Sequence, residues 1–200
     1  MNPVEIRDQE LKMLNRVFKK YIDLTEKYCR DFKNDAPYWY NERASVSFFA
    51  GAIWKCGGMV LEEYSSNKIW EGARYPSPID IWFMLDGKQY IAEAKFGFVR
   101  LQKGQEKKAI EWVQRLIKSA LSDVQLIPEP AQIKIGLAFV VPYLKRGNHN
   151  TDKRIDNFLM LIKSGLEYDA IVAVFPDATR NLADQGDLYP GVIILACRSF

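Results

Sequence analysis

The segment Pro78–Lys95 constrains the fold more than any other stretch, because its pattern predicts a single β-hairpin. Two runs rich in Ile, Phe, Trp and Tyr flank the dipeptide Asp86-Gly87. Asp-Gly favours a two-residue type I′ turn, in which both central residues have positive φ. With these two residues as the loop, Leu85 is predicted to lie opposite Lys88, and this pairing fixes the register of both strands.

The same register places two carboxyl groups side by side. Asp80 falls opposite Glu93, and Lys95 projects from the face that carries Glu93, because side chains alternate along a strand. Like charges directly opposed across a strand pair destabilise it, so a neutralising partner is expected. Mg²⁺ is one such partner, since it is commonly held by one or two carboxylates, water and substrate phosphate. The alternative is a solvated strand end on which acids and bases happen to alternate.

The composition is that of an ordinary globular chain of one domain. The 200 residues are 48% hydrophobic and 26% charged, enough for a sizeable core. The net charge of +3 permits a nucleic-acid partner without requiring one. The three cysteines, Cys29, Cys56 and Cys197, form no C-x-x-C pair, so neither a disulfide framework nor a zinc site is indicated. They are expected to be buried apolar residues in a reducing compartment.

The location expected from the sequence is cytoplasmic. The first ten residues lack the basic and apolar regions of a secretory signal. No uninterrupted apolar run approaches the length of a membrane span, so no membrane partner is expected.

Hydrophobic periodicity predicts an α/β chain. Helices are predicted over about 8–31, 40–56, 105–125 and 152–165. Strands are predicted over 59–64, 133–141, 170–175 and 191–197, in addition to the two strands of the hairpin. The segments 65–77, 97–104 and 143–154 are predicted to be connections, of which the first and last are polar loops.

Two further groups of charged residues are candidates for function. Glu42 precedes Val46 by one turn on the apolar stripe of the second helix, so it either points inward at the hairpin or complements the helix dipole from the first turn. The basic residues of two segments either contact phosphate or form a solvated face: Arg100, Lys103, Lys107, Lys145 and Arg146. No G-x-S-x-G or P-loop motif is present, and His149, the single histidine, falls in a predicted loop, which disfavours acyl-transfer chemistry.

The order of elements from Glu42 to Val141 is helix, strand, strand, strand, helix, strand, with Asp80 on the second strand and Glu93-Ala94-Lys95 on the third. This arrangement resembles the PD-(D/E)xK nuclease superfamily, also called restriction-endonuclease-like, over roughly half of the chain. One departure is that Ile79, rather than Pro, directly precedes Asp80. The resemblance implies an αβββαβ core with a central mixed sheet flanked by helices. The chain would then be a single nuclease-like domain with an N-terminal helix (1–38), the core (39–141) and a C-terminal α/β extension (142–200).

The resemblance also implies roles for particular residues. Asp80 and Glu93 would ligate Mg²⁺ or Mn²⁺ with help from the backbone carbonyl of Ala94. Glu42 would be the acidic residue that many members carry on the first core helix, and Lys95 would lie beside the attacking water. Adjacent carboxylates favour the protonated form of a lysine, so Lys95 is expected to act mainly as a cation that orients water and offsets charge, unless bound metal takes over the carboxylates.

The function implied by the resemblance is that of a metal-dependent endonuclease. Its partner would be nucleic acid, DNA in preference to RNA, and the pattern is equally compatible with duplex, single-stranded or branched substrates. A homodimer is compatible with it as well, since many members cut both strands as dimers. Two alternatives stay open: a non-catalytic nucleic-acid-binding or regulatory module, and the nuclease subunit of a defence or toxin complex that needs a partner.

Overall fold

The computed structural model describes residues 2–147 and 150–199, which form an α/β structure with a large mixed sheet flanked by helices. The α-helices over these residues are α1 (Leu14–Asp31), α2 (Glu42–Lys55), α3 (Glu106–Gln125) and α4 (Thr151–Gly165). The strands over the same residues are β1 (Val4–Ile6), β2 (Met59–Tyr64), β3 (Asn67–Trp70), β4 (Ala73–Pro76), β5 (Ile79–Leu85), β6 (Lys88–Arg100), β7 (Ile133–Lys145), β8 (Ala170–Val174), β9 (Ala183–Asp184), β10 (Asp187–Leu188) and β11 (Val192–Ser199).

The large sheet has the strand order β1–β8–β11–β7–β6–β5–β2, with β10 paired to the end of β7 and β9 paired to β10. Strands β6 and β7 run parallel, whereas the other neighbours run antiparallel. Helix α3 connects the parallel pair, because parallel neighbours need a crossover. The two 13-residue strands β6 and β7 therefore form the centre of the sheet.

The core lies in two layers, one on each face of this sheet. Helices α1 and α2 cover one face, where Leu137 and Phe139 of β7 are buried. Helices α3 and α4 cover the other face, where Ala138 and Val140 are buried. A strand covered on both faces reads as a continuous apolar run rather than an alternating one, which is the pattern of β7. No helix within the described residues is both long and apolar enough to cross a membrane.

The predicted hairpin is confirmed as strands β5 and β6. Their antiparallel pairing runs from Leu85 opposite Lys88 to Ile81 opposite Ala92. Asp86 and Gly87 have φ of 49° and 77°, as a type I′ turn requires.

Several predicted boundaries are wrong at the N-terminus and around the second strand. The N-terminal segment contains strand β1, which was not predicted and pairs with β8. The first helix starts at Leu14 rather than near residue 8, because Asp8 caps a separate 3₁₀ turn over Gln9–Leu11. The segment predicted as a polar loop over 65–77 forms the two-stranded sheet β3–β4.

The central strands are longer than predicted. Parallel pairing continues to Arg100 opposite Tyr143, so β6 includes half of the predicted connection 97–104, and β7 continues to Lys145. Beyond β7, the predicted helix and the two terminal strands are confirmed as α4, β8 and β11, and β11 lies between β7 and β8 in the same sheet. His149 lies outside the described residues.

Candidate active site

The two carboxylates of the hairpin lie where its strand pairing ends. Asp80 is one residue before Ile81, and Glu93 one residue after Ala92, which is the last paired position. The Asp80 Oδ2 atom accepts a hydrogen bond from the backbone N–H of Ala94 at 2.7 Å. The side chain of Asp80 therefore bridges the two strands beyond their ladder and is held beside Glu93.

Glu93 is a buried acid with an incomplete set of partners. Its side chain is 2% exposed, and Lys68 Nζ on β3 donates to its Oε2 at 2.8 Å. The other carboxylate oxygen, Oε1, is buried without a hydrogen-bond partner. Burial, and then the charge of Asp80, raises the pKa of Glu93 to about 7, although Lys68 and Lys95 act in the opposite direction.

Lys95 forms an ion pair with an acid from helix α3. Its Nζ lies 2.6 Å from Asp123 Oδ2, and both side chains are about 30% exposed, at 28% and 32%. Burial alone would lower the pKa of Lys95, but the hydrogen bond and charge of Asp123, followed by the charges of Glu42 and Asp80, raise it. Lys95 is therefore a cation at neutral pH, as the sequence predicts, and Asp123 contributes most to keeping it so.

Glu42 reaches the same cluster from the opposite layer. It is the first residue of α2, whose N-terminus is capped by the Asn41 side chain accepting from the Ala44 N–H at 3.0 Å. Burial, and then the Asp80 charge, raises the pKa of Glu42, while Lys95 and the backbone N–H of Phe96 lower it. The Glu42 side chain thus faces the hairpin, and its position in the first turn of α2 also suits the helix dipole, so both interpretations of the sequence remain compatible with the structure.

A glycine allows helix α3 to approach the sheet closely enough to build this cluster. Gly136 is the register partner of Glu93 on β7, and a Cβ at this position would lie 2.8 Å from the backbone nitrogen of Leu121. Asp123 follows Leu121 by two residues on α3. The close contact at Gly136 therefore sets the distance from which Asp123 reaches Lys95.

Two residues of the cluster were missed by the sequence interpretation. Lys68 was assigned to a polar loop, although Glu71-Gly72, with φ of 50° and 80°, forms the same kind of turn as Asp86-Gly87. Asp123 lies on a helix whose other charged residues are largely exposed, and no local pattern separates it from them.

A small cleft opens beside Asp80 and Glu42. Its volume is about 180 Å³, and its lining carries four carboxylates and one guanidinium: Glu42, Glu62, Glu63, Asp80 and Arg43. Arg43 Nε lies 3.1 Å from Glu63 Oε1, and Ser47 Oγ donates to Glu62 Oε2 at 2.8 Å. This net negative lining would attract a cation to Asp80.

The donor set fits a divalent metal ion of the oxygen-binding kind. Asp80 and Glu93 are adjacent carboxylates that repel each other, and the buried Oε1 of Glu93 lacks a partner. Across residues 2–147 and 150–199, no group of three or more His, Cys, Asp or Glu side chains is placed to hold a metal ion. Mg²⁺ does not require one, because it commonly retains water and takes ligands from substrate phosphate.

Most of the predicted basic residues lie near the C-terminal ends of the central strands β6 and β7. Arg100, Lys103, Lys145 and Arg146, together with Arg154, line a cleft of about 430 Å³, which we call the basic cleft. All charged side chains among its described lining residues are basic. Lys107 is not part of this lining; its side chain is 92% exposed and lies 4.0 Å from Glu111. The structure thus brings together four of the five predicted residues and adds Arg154.

The chain matches no protein-family model, no curated protein and no solved structure.

Proposed function

We propose that the protein is a metal-dependent endonuclease of the restriction-endonuclease-like, PD-(D/E)xK kind, which hydrolyses phosphodiester bonds in DNA. The observation that carries the proposal is the convergence of Asp80, Glu93, Lys95 and Glu42 at one point of the sheet. The order α2, β2, β5, β6, α3, β7 supports it, since it corresponds to an αβββαβ core, with the small sheet β3–β4 inserted after β2.

The chemistry assigned to this cluster is hydrolysis at phosphorus. Asp80 and the free Oε1 of Glu93, with the backbone carbonyl of Ala94, would hold Mg²⁺ or Mn²⁺. A bound divalent ion supplies an activated water and neutralises charge on the phosphoryl oxygens. The water oxygen would form the new bond to phosphorus as the bond to the leaving 3′ oxygen breaks, with the proton of the water passing to solvent and the leaving oxygen taking up a proton from solvent.

Lys95 has a defined part in this scheme. In the metal-free protein the hydrogen bond and charge of Asp123 raise its pKa against the effect of burial, which favours the ammonium form. It remains a positive charge beside Asp80 and Glu42, where it orients the water and offsets the negative charge that develops on the phosphoryl group. Asp123 acts through Lys95 by fixing the position of its ammonium group.

The basic cleft supports nucleic acid as the substrate. Five cationic side chains converge there, and none of the described lining residues is acidic, which is the electrostatic pattern of a phosphate-binding surface. DNA is the substrate we assign, with the cleft binding the backbone away from the cleavage point.

A non-catalytic nucleic-acid-binding module is the second candidate, and the Lys68–Glu93 ion pair favours it. Three charged groups of the cluster already have partners. Glu93 pairs with Lys68, Lys95 pairs with Asp123, and Asp80 accepts a hydrogen bond from the Ala94 N–H. Such a network could serve the fold alone, with the basic cleft as the functional surface.

Cleavage assays separate the two candidates. Plasmid, linear duplex, single-stranded DNA and RNA are incubated with purified protein in Mg²⁺, Mn²⁺ or EDTA. Metal-dependent cutting that falls at least 100-fold in Asp80→Asn supports the nuclease. Asp86→Asn is the matched control, because Asp86 is an exposed turn residue whose positive φ asparagine tolerates. Absence of cutting with every substrate and metal, by folded protein, would leave the binding module or a nuclease subunit that needs a partner.

The role of Lys95 has its own test. Lys95→Ala is expected to reduce turnover by orders of magnitude while calorimetric Mn²⁺ affinity changes little, because the ammonium group is not a metal ligand. Loss of metal binding in step with activity would contradict this role.

A further inference from the structure

A row of aromatic side chains connects the acidic cluster to the basic cleft. Its members, which we call the aromatic row, are Phe96, Phe98, Tyr189 and Tyr143. Phe96 follows Lys95 and meets Phe98 edge-on, with ring centroids 5.0 Å apart. Phe98 meets Tyr189 at 5.7 Å, and Tyr189 stacks on Tyr143 at 5.7 Å with an interplanar angle of 20°.

The two ends of the row are fixed by strand pairing. Tyr143 is the register partner of Arg100, which lines the basic cleft. At the other end, the backbone N–H of Phe96 meets Glu42, and the Phe96 ring lies on the face of β6 opposite to the Lys95 side chain. Lys95 and Arg100 lie five positions apart on one extended strand, roughly 17 Å. At 3.4 Å per nucleotide along a stacked strand, this distance corresponds to about five nucleotides.

The row is most accessible to a ligand at Phe98, which is 39% exposed. Tyr143 is partly exposed, and Phe96 and Tyr189 are partly exposed rings that also pack against the core under α1 and α2. Exposed aromatic rings beside a cluster of cations suit a polymeric ligand that carries both phosphate groups and flat apolar groups. Unpaired bases offer their faces to such rings, whereas a duplex keeps those faces inside its own stack.

We infer that the protein holds single-stranded DNA, with the phosphates in the basic cleft and unpaired bases stacked on the aromatic row that leads to Glu42 of the acidic cluster. This inference rests on the proposed nuclease function and narrows its substrate class. The observation that carries it is that Phe96, Phe98 and Arg100 share one face of β6, between Glu42 and the basic cleft.

Binding without cleavage tests the inference. Fluorescence anisotropy in EDTA compares a labelled oligothymidylate, which forms no duplex, with a labelled duplex of the same length. The wild-type protein is expected to bind the single strand more tightly. Phe98→Leu keeps an apolar side chain but removes the ring, so it is expected to weaken single-strand binding roughly five-fold or more and to leave duplex binding unchanged.

Three further variants sharpen the test. Tyr143→Leu provides a second removal of a ring should Phe98→Leu disturb folding, which circular dichroism would show. Lys145→Gln is expected to weaken binding of both probes, because it removes a phosphate contact. Trp54→Leu is the aromatic control, since Trp54 is 55% exposed in the last turn of α2, at the end opposite to Glu42.

The inference would be overturned if the wild-type affinity for the duplex equalled or exceeded its affinity for the single strand. It would also be overturned if both ring variants bound the single strand with unchanged affinity, or if the protein bound neither probe. These outcomes are separable from failure of the proposed function. Single-strand preference without metal-dependent cleavage would refute only the nuclease, and cleavage by a protein without single-strand preference would refute only the inference.

Discussion

Replacing Lys68 with Met probes the electrostatics of the candidate site most directly. Lys68 is 8% exposed and Glu93 is 2% exposed, so their ion pair is almost fully removed from water. Met retains an unbranched apolar side chain and removes only the ammonium group. Glu93 then loses its hydrogen-bond donor at 2.8 Å and a nearby positive charge, so its pKa is expected to rise above the wild-type value of about 7.

The size of this change follows from the strength of the contact. A hydrogen bond to a charged group contributes about 1.5–3 kcal/mol, and one pKa unit corresponds to about 1.4 kcal/mol. The pKa of Glu93 should therefore rise by about one to two units. Removing one partner of a buried ion pair costs roughly 3 kcal/mol of unfolding free energy at pH 8, where Glu93 is ionised in the wild type. The cost should shrink towards pH 5, where Glu93 is protonated and Lys68 has lost its anionic partner.

The assay uses metal-free protein. Carbon-13 NMR of the side-chain carboxyl groups follows the Glu93 titration, with Glu93→Gln assigning the resonance, and urea unfolding at pH 5 and pH 8 gives the stability change. Lys88→Met is the matched control, because Lys88 pairs with Glu10 at 2.9 Å on the surface and should leave the Glu93 titration unchanged. A Glu93 that titrates near its ordinary 4.5 in the wild type, or a midpoint unmoved by Lys68→Met, would refute the reasoning.

Three other perturbations test separate parts of the site. In the wild type, the free energy of unfolding should fall by roughly 3 kcal/mol as the pH rises from about 4.5 to about 7, because folded Glu93 keeps a proton that the unfolded chain has released. Glu93→Gln should abolish this fall. If urea unfolding gave the same difference in unfolding free energy between the two proteins at pH 5 and at pH 8, the prediction would be contradicted. Asp123→Asn should lower the pKa of Lys95 and move the alkaline loss of cleavage to lower pH, and an unchanged alkaline limb of the pH–rate profile would exclude the assigned role. Gly136→Ala should cost about 1–3 kcal/mol in urea unfolding, since the new Cβ meets the α3 backbone, whereas Gly165→Ala, with open space around it, should not; equal effects would count against the close approach of α3.

Local sequence rules were sufficient for the hairpin. The Asp86-Gly87 dipeptide determines a turn type, the turn type determines the register, and period-two alternation then puts Glu93 and Lys95 on one face. These inferences need no knowledge of the rest of the chain. Asp80 and Glu93 could therefore be located beside each other before any tertiary contact was known.

Other parts of the fold and of the site depend on tertiary contacts, which local sequence rules do not predict. Lys68 meets Glu93 across 25 residues of sequence, and its strand is anchored by the Ile69 N–H donating to the Leu126 carbonyl at 2.8 Å. Glu71 preceded the glycine of that turn, and glutamate is an uncommon residue at positive φ, so the hairpin was not recognised. Strand β1 was missed because its three residues pair only with β8, near the other end of the chain.

The incomplete hydrogen bonding of Glu93 favours a functional over a purely structural role for the cluster. A buried ion pair contributes little to stability when compared with well-packed apolar residues of the same volume. A network retained for the fold alone would also be expected to satisfy both carboxylate oxygens, since an unpaired buried acceptor costs free energy. Glu129 and Asp187 also have one buried oxygen without a partner, but those residues are partly exposed, whereas Glu93 is not. The unsatisfied Oε1 thus lies in the most buried of the three acids, beside a second carboxylate, where a bound cation would relieve both costs.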